Sequence, residues 1–245
     1  MSEATLPPGV LGSIAEESEV DPAAGARERA YAVLRTAILR GALPAGTLLN
    51  EADIGAELGI SRTPVRAALQ SLLQEELIEV GARRQLYVRT IPPSSRREVI
   101  LLREALEQIT VREACEVMTL EEIDELRLIL IRQRRAAEQG DVERFIELDD
   151  QFHIGIAAGA RLPTAQRFLE QIRALIRMMG LRAATRQGRM NEVLDEHEAI
   201  VAALEARDAD AALGRLTDHL KATYRLIGEL DDESADAAGA RLGGV

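Results

Sequence analysis

The sequence is poor in aromatic residues, in cysteine and in long apolar runs. Phe, Tyr and Trp together make up 2% of the 245 residues, so the core must consist mainly of Ala, Leu, Ile and Val, which favours helices packed on helices. Cys115 is the only cysteine, which excludes an intrachain disulfide and predicts a reducing compartment. No apolar run is long enough for a signal peptide or a membrane span. We therefore expect a mainly α, cytoplasmic protein with no membrane partner.

Negative charge predominates, but it is unevenly distributed. The net charge is −11, and residues 1–26 contain five acidic and no basic residues, whereas residues 27–91 contain nine Arg and seven acidic residues. Phosphate binding depends on the local field rather than on the net charge. The mildly basic segment is therefore compatible with a DNA-binding domain attached to an acidic one.

The chain is long enough for two domains with short flanking segments. The acidic residues 1–26 and the residues 231–245 predict disordered tails. Residues 27–91 predict a compact domain, followed by a stiff, proline-containing linker at 92–95. Residues 96–230 predict about six helices with short connections, and hence an antiparallel helical bundle.

Residues 27–91 have the pattern of a winged helix-turn-helix. Apolar residues recur at helical spacing in AYAVLRTAIL, ADIGAEL and TPVRAALQSLL, and Gly59 supplies a sharp turn between the last two segments. Two short β-type runs follow, Leu77–Val80 and Leu86–Arg89, separated by turn residues that include Arg83 and Arg84. These runs predict a β-hairpin, which is the wing.

The start of the third helix carries the predicted DNA contacts. Free backbone N–H groups at a helix N-terminus attract phosphate, and the hydroxyls of Ser61 and Thr63 can donate to phosphate or to base edges. Arg62 and Arg66 lie four residues apart on one face, and arginine reads guanine bidentately in the major groove. An isolated arginine pair is more often solvated surface, but the helix-turn-helix and the wing favour DNA contact here.

The segment YAVLRTAILRGALPAGTLLNEADIGAELGISRTPVRAALQSLLQEELIE resembles the N-terminal domain of GntR-family bacterial transcription regulators, and SRTPVR is its most specific part. The resemblance implies operator contacts at Arg35, Ser61, Arg62, Thr63, Pro64 and Arg66. It also implies a wing that reaches an adjacent groove with Arg83, Arg84 and Gln85. Ala52 departs from the family, because many relatives carry a DNA-contacting arginine there, and Gln85 replaces the usual wing-tip glycine.

All three histidines of the chain and one carboxylate fall on predicted inward helix faces. Asp149 lies on the apolar stripe of VERFIELDDQFHIGI, with His153 one turn later, and His197 and His219 lie on or beside the stripes of two later helices. A single buried histidine is usually a hydrogen-bonded core residue. Buried carboxylates and imidazoles need partners, however, and one divalent cation would satisfy all four groups. The candidate ions are Zn, Ni, Mn and Fe, with zinc first among them.

The segments LLREALEQITVREA, LDDQFH, EHEAIVAALEARDADAAL and DHL resemble the effector-binding helical domain of the fatty-acid-regulator subfamily of GntR proteins. Metal-binding members of that subfamily use an Asp, a His four residues later and two further His. The resemblance implies the same roles for Asp149, His153, His197 and His219. It also implies that residues 96–230 bind an effector, a small carboxylate, and form the dimer.

Arg103 is the candidate residue for clamping the carboxylate. It flanks the predicted inward stripe of its helix, which consists of Val99, Leu102, Leu106 and Ile109. A guanidinium beside a metal binds carboxylate well. The alternative is a surface ion pair with Glu107 at i+4, and Arg173 and Arg177 are weaker candidates.

These observations predict a homodimeric, ligand-responsive transcription regulator that binds a palindromic operator in double-stranded DNA. Repression relieved by ligand is the commoner logic of the family that it resembles. Two alternatives remain open. The three-His, one-Asp site could belong to a metalloenzyme, although no spare acid or base is identifiable, or the ion could be purely structural.

Overall fold

A computed structural model describes residues 5–17, 24–179 and 188–242, with only the backbone described for Pro93 and beyond residue 225. The chain divides into two compact units, one of residues 1–96 and 174–180 and the other of residues 97–173 and 181–245. Helices dominate both units, and the only sheet in the described part of the chain has three short strands. The prediction of a mainly α fold is confirmed.

The first unit contains a winged helix-turn-helix, as predicted. Its elements are α1 (Val10–Glu17), α2 (Ala26–Leu39), β1 (Leu48–Leu49), α3 (Glu51–Leu58), α4 (Arg62–Gln74), β2 (Ile78–Val80) and β3 (Leu86–Val88). The strands are antiparallel in the order β1-β3-β2, with Ile78 opposite Val88 and Val80 opposite Leu86. The β2–β3 hairpin is the wing.

Local sequence signals fix the helix-turn-helix. The side chain of Asn50 caps α3 by accepting a hydrogen bond from the backbone N–H of Ala52 at 2.8 Å. Gly59 ends α3 at a φ of 65°, in the left-handed region that suits glycine. The inward face of α4 places Val65 and Leu69 in the apolar core of this unit, fully buried. The start of α4 is thereby held on the surface.

The N-terminal segment corrects one prediction, because part of it is helical. Residues 1–26 were expected to form a disordered tail, yet α1 packs on α2 and α3. Leu11 and Ile14 of α1 are buried, and the carboxylate of Glu57 accepts hydrogen bonds from the backbone N–H groups of Gly9, at 2.9 Å, and Leu11, at 3.1 Å. Buried apolar residues and a carboxylate at the helix N-terminus outweigh the acidic composition.

Six helices follow the wing in the described ranges, namely α5 (Pro93–Val117), α6 (Leu120–Gln139), α7 (Val142–Gly159), α8 (Pro163–Met178), α9 (Arg189–Glu205) and α10 (Ala209–Leu242). They form the second unit except for the start of α5 and the end of α8, which belong to the first. The predicted bundle is confirmed. None of the described helices is long and apolar enough to cross a membrane.

Two segment boundaries differ from the prediction. The expected linker at 92–95 is largely helical, because α5 begins at Pro93 and proline is well tolerated in the first turn of a helix. The expected disordered tail at 231–245 is helical as far as Leu242, because an alanine-containing sequence continues the hydrogen bonding of α10.

The inward face of α5 differs from the predicted apolar stripe. Leu102 and Ile109 were expected to face the core, but they are 46% and 55% exposed. Arg103 and Glu107 are buried instead, at 4% and 3% exposure. The prediction was wrong because α5 turns a charged pair inward, and such a pair is stable only where other charged or polar groups meet it.

Candidate metal centre and nucleic-acid interface

The four predicted metal ligands meet in the second unit. Helix α7 supplies Asp149 and His153, α9 supplies His197 and α10 supplies His219. One potential ligand atom from each residue lies within 4.8 Å of those from the other three. The histidines are 0–2% exposed, and their rings contact one another with centroids 4.8–5.1 Å apart. Residues 70 positions apart in the sequence thus form one cluster.

Each imidazole is oriented by a partner on its Nδ1 atom. The three contacts join His153 to Glu107 Oε2 at 2.8 Å, His197 to Gln133 Oε1 at 3.2 Å, and His219 to Glu196 Oε2 at 2.7 Å. An acceptor at Nδ1 holds the proton there and leaves Nε2 as a free lone pair. This is the arrangement that surrounds metal-bound histidines, whose second nitrogen is held by a carboxylate or an amide.

Two of the remaining imidazole nitrogens are buried without a partner. Among the described residues, the Nε2 atoms of His153 and His197 have no hydrogen-bond partner. They face Asp149, whose Oδ2 lies 3.9 Å from His153 Nε2 and whose Oδ1 lies 3.5 Å from His197 Nε2. Three imidazoles and one carboxylate are the donor set of a borderline transition metal. The orphaned nitrogens therefore fit a divalent cation.

Arg173 of α8 joins the ligand carboxylate to its surroundings. Its Nε donates to Asp150 at 2.9 Å, one terminal nitrogen donates to Glu107 at 2.8 Å, and the other donates to Asp149 Oδ2 at 2.6 Å. The guanidinium is 4% exposed, and all three of its nitrogens are engaged. Arg173 thus orients Asp149, and it fixes Glu107, which holds His153.

Burial and charge together set the protonation states at this site. Burial lowers the pKa of His153 to about 4, although Glu107 acts in the opposite direction, and burial also holds the pKa of His197 well below its usual value. Burial opposes the charge of Glu107, yet Arg103 and His153 bring its pKa well below the ordinary range. Burial also opposes the charge of Asp149, yet His153 and Arg173 lower the pKa of its carboxyl group. The two histidines are therefore neutral, and the two carboxylates charged, at neutral pH.

Arg103 is buried beside this network rather than on the surface. Its Nε donates to Glu107 at 2.7 Å, so the predicted i+4 pair is present, but inside the protein. Its guanidinium lies 5.9 Å from the centre of the Tyr224 ring. In the described part of the chain, its two terminal nitrogens form no hydrogen bond. Arg103 therefore differs from Arg173 in having donors left for a ligand.

The predicted DNA contacts of α4 lie on one exposed surface. Ser61 is the N-cap residue, but its hydroxyl oxygen accepts no capping hydrogen bond, so the hydroxyl is not held against the helix terminus. Ser61, Arg62, Thr63 and Arg66 are exposed, and Pro64 is half-buried in the first turn. With Val65 directed inward, the polar side chains at the start of α4 face outward together.

Two of the predicted DNA-binding arginines are held by carboxylates. Arg66 donates to both oxygens of Glu51, at 2.8 Å each, and Arg35 donates to Glu75 at 3.1 Å. Glu75 also accepts a hydrogen bond from the hydroxyl of Tyr31. The sequence offered no signal for these pairs, because their members are 15 and 40 residues apart.

The wing tip places two arginines in an unusual backbone conformation. Arg83 and Arg84 are exposed, and their φ angles are 59° and 60°. A non-glycine residue in this left-handed region is strained by about 1–2 kcal/mol. Gln85 accepts a hydrogen bond from the Tyr87 hydroxyl at 3.0 Å, so its side chain is held against the hairpin.

Two family models match the chain. The model described as "FCD domain" matches residues 98–222, and the model described as "Bacterial regulatory proteins, gntR family" matches residues 26–88. The chain belongs to the GntR family. The predicted family is thereby confirmed, and the FCD domain is a metal-binding effector domain.

Curated and solved relatives of this GntR protein are transcription regulators. The HTH-type transcriptional repressor RspR of Escherichia coli is 28% identical over 220 residues, which are 90% of this chain and 96% of RspR. A probable D-xylose utilization operon transcriptional repressor of Paenarthrobacter nicotinovorans is 32% identical over 189 residues, covering 76% and 81% of the two chains. The structure of E. coli McbR/YncC matches with a TM-score of 0.75 at 23% identity, over 84% and 99% of the two chains, and supports the fold. The chain is therefore a DNA-binding regulator rather than an enzyme.

The GntR chain contains site residues that sequence reasoning missed. Gln133 and Glu196 were not assigned to the metal centre, Arg173 was only a weaker candidate for the carboxylate clamp, and Glu107 was considered only as a surface partner of Arg103. Glu107 had one available signal, its i+4 spacing from Arg103. Nothing in the sequence favoured Arg173 over Arg177, because charged and apolar residues mix around both as in any amphipathic helix.

The metal-free GntR protein should lose stability at a higher pH than titration of its carboxylates alone would predict. His153 has a pKa of about 4 when folded and 6.5 when unfolded, so the unfolded chain binds the extra proton between these values. The contribution of His153 to stability should be fully present above pH 6.5 and fall by about 3 kcal/mol as the pH decreases to 4, and His197, whose pKa is lowered in the same direction, should add to the decline. Thermal melts in chelator from pH 8 to 4 test this, and H153Q should flatten the decline. An equally steep decline in H153Q would contradict the assignment.

Proposed function

We propose that this protein is a homodimeric repressor that senses a small carboxylate at a metal-containing pocket. Asp149, His153, His197 and His219 would hold one divalent cation, with zinc the first candidate. The observation that carries the proposal is the convergence of two buried, unpartnered Nε2 atoms on one carboxylate, with every Nδ1 already engaged. A bound cation would supply a positive charge that attracts an anionic ligand.

The charge balance of the pocket supports an anionic effector. Around the site, four carboxylates and three guanidinium groups give a net charge of −1, namely Asp149, Asp150, Glu107 and Glu196 against Arg103, Arg173 and Arg189. A divalent cation would change this net charge from −1 to +1. A monoanionic carboxylate would restore neutrality in a buried place, where excess charge is costly.

Arg103 is the residue that we assign to the effector carboxylate. Its Nε is fixed by Glu107, which orients the guanidinium, and its terminal nitrogens are the donors that remain. A guanidinium presents such donors as a planar fork that matches a carboxylate. Arg173 orients Asp149 instead, because its nitrogens are already occupied by three carboxylates.

On the DNA side, two winged helices of a dimer would contact the half-sites of a palindromic operator. We assign base and phosphate contacts to the start of α4, namely Ser61, Arg62, Thr63, Pro64 and Arg66, and further contacts to Arg35 and to the wing residues Arg83, Arg84 and Gln85. GntR regulators bind DNA and usually act as dimers. Effector binding would favour one arrangement of the dimer and so change its operator affinity.

Thermal melting against a panel of small carboxylates tests the sensing function. At 100 times its Kd, a carboxylate should stabilise the metal-loaded protein by about 2.7 kcal/mol, which raises Tm by roughly 5–10 °C. The same compound should release a fluorescent operator duplex in an anisotropy titration. R103Q should keep its metal, by elemental analysis, and lose the carboxylate response. Stabilisation by metal alone, with no carboxylate changing Tm or DNA affinity, would instead assign the ion a structural role.

A further inference from the structure

Arg62 and Arg66, the two arginines of the α4 surface, have different environments. Arg66 is held by Glu51 through two parallel hydrogen bonds of 2.8 Å, from Nε to Oε1 and from a terminal nitrogen to Oε2. Arg62 forms no hydrogen bond from its side chain within the described ranges. Hydrogen bonds therefore fix the direction of Arg66, whereas Arg62 interacts with Glu51 through its charge alone.

Glu51 is itself well anchored. It is the first residue of α3, directly after the cap Asn50, and its charge is favoured at the positive end of the helix dipole. Its side chain is 27% exposed, against 65% for Arg66, so the carboxylate lies close to the surface while the guanidinium projects beyond it. Hydrogen bonding to Arg66 lowers the pKa of Glu51, so the carboxylate keeps its charge.

The geometry of the pair leaves one edge of Arg66 available. A guanidinium has five N–H donors, and Glu51 uses the edge formed by Nε and one terminal nitrogen. The end of the guanidinium, with one N–H on each terminal nitrogen, still presents a two-donor fork. Such a fork matches the O6 and N7 acceptors of guanine in the major groove.

We infer that Glu51 is a positioning residue that determines operator specificity by presenting the end of Arg66 to a guanine. The inference deepens the proposed function and rests on its assignment of Arg66 to the operator. The carboxylate acts in two ways. It orients the fork before DNA arrives, which strengthens the correct contact, and its negative charge repels phosphate, which weakens binding to any other sequence.

The two effects give a signature that a structural role does not produce. In E51Q the side chain keeps one acceptor oxygen, so the guanidinium loses the ion pair and one of its two hydrogen bonds, and the repulsion of phosphate is removed. Affinity for the operator should fall roughly tenfold, while affinity for unrelated DNA should rise several-fold, with a steeper dependence on salt. The ratio of operator affinity to affinity for unrelated DNA should therefore fall by more than the operator affinity alone.

Asp53 provides the matched control. It lies in the same first turn of α3 and is exposed, and no described arginine pairs with it. D53N removes the same charge from the same helix end without releasing Arg66. We expect D53N to raise both affinities slightly and to leave their ratio unchanged.

The experiment measures fluorescence anisotropy with two duplexes, one selected by the full-length wild-type protein from a random library and one of scrambled sequence. Wild type, E51Q, D53N and R66A are titrated at three salt concentrations, and their melting is compared. A lower ratio in E51Q but not in D53N supports the inference. An unchanged ratio in E51Q, or an equal loss on both duplexes, overturns it. If R66A also binds the selected duplex normally, the operator contact assigned to Arg66 fails as well.

Discussion

Replacing Arg62 and Arg66 together by alanine is expected to lower operator affinity by roughly 10²- to 10⁴-fold. Both side chains are exposed on the same surface at the start of α4, where helix N–H groups also attract phosphate. A good arginine contact to a base is worth about 1–3 kcal/mol, and two such losses are nearly additive where the contacts are independent. The fold should survive, because neither side chain contributes to the core.

Anisotropy titration with a duplex selected by the wild-type protein measures this loss. The matched control is R132A with R135A, which removes the same charge from exposed positions on α6 in the second unit. Circular dichroism and sedimentation should show that both double variants keep their helices and their oligomeric state. Normal operator binding by the α4 variant would refute the proposed DNA surface.

Replacing His197 by alanine should abolish metal binding while leaving DNA binding in place. The ring is fully buried, its Nδ1 is held by Gln133, and its Nε2 is one of the two unpartnered nitrogens that face Asp149. Loss of an outer partner of a ligand already lowers metal affinity by about 10–100-fold. Loss of a ligand itself should exceed that range. The variant should also lose its carboxylate response.

A graded series makes the metal test specific. Elemental analysis and isothermal titration with zinc should rank Q133L between wild type and H197A, because Gln133 only orients the ring. T110V is the matched control, since Thr110 is buried on α5 and its hydroxyl bonds to the backbone of Glu107 rather than to the cluster. T110V should bind zinc normally. Equal zinc binding by H197A and wild type would rule out the proposed centre.

The sequence predicted the fold and the four clustered residues because helical periodicity is a local property. Asp149, His153, His197 and His219 lie on or beside apolar stripes, and a polar residue in such a place can be seen without a structure. The residues that orient them could not be predicted in this way. Gln133 and Arg173 lie on other helices, and only the packing of those helices shows which charged side chains turn inward.

The wrong predictions for the inward face of α5 and for the N-terminal segment have a common physical cause. On α5, the leucines and isoleucine suggested one face, yet the energetics of a buried ionic network favoured another, with Arg103 and Glu107 inside. At the N-terminus, acidic composition suggested disorder, although two apolar residues and a distant carboxylate suffice to hold a helix of eight residues. Composition and periodicity describe a segment by itself. The inward face of α5 and the folding of α1, in contrast, depend on which other residues pack against each segment.

The capping of α1 by Glu57 bears on how the DNA-binding half could be produced as an isolated fragment. The family match begins at residue 26, which would be the natural choice for a truncation. A truncation at this residue removes Leu11 and Ile14 and exposes the apolar residues of α2 and α3 against which they pack. It also leaves the Glu57 carboxylate without the two backbone N–H groups that donate to it. The boundary of sequence similarity is therefore not the boundary of the folding unit, and purification tags belong ahead of Gly9.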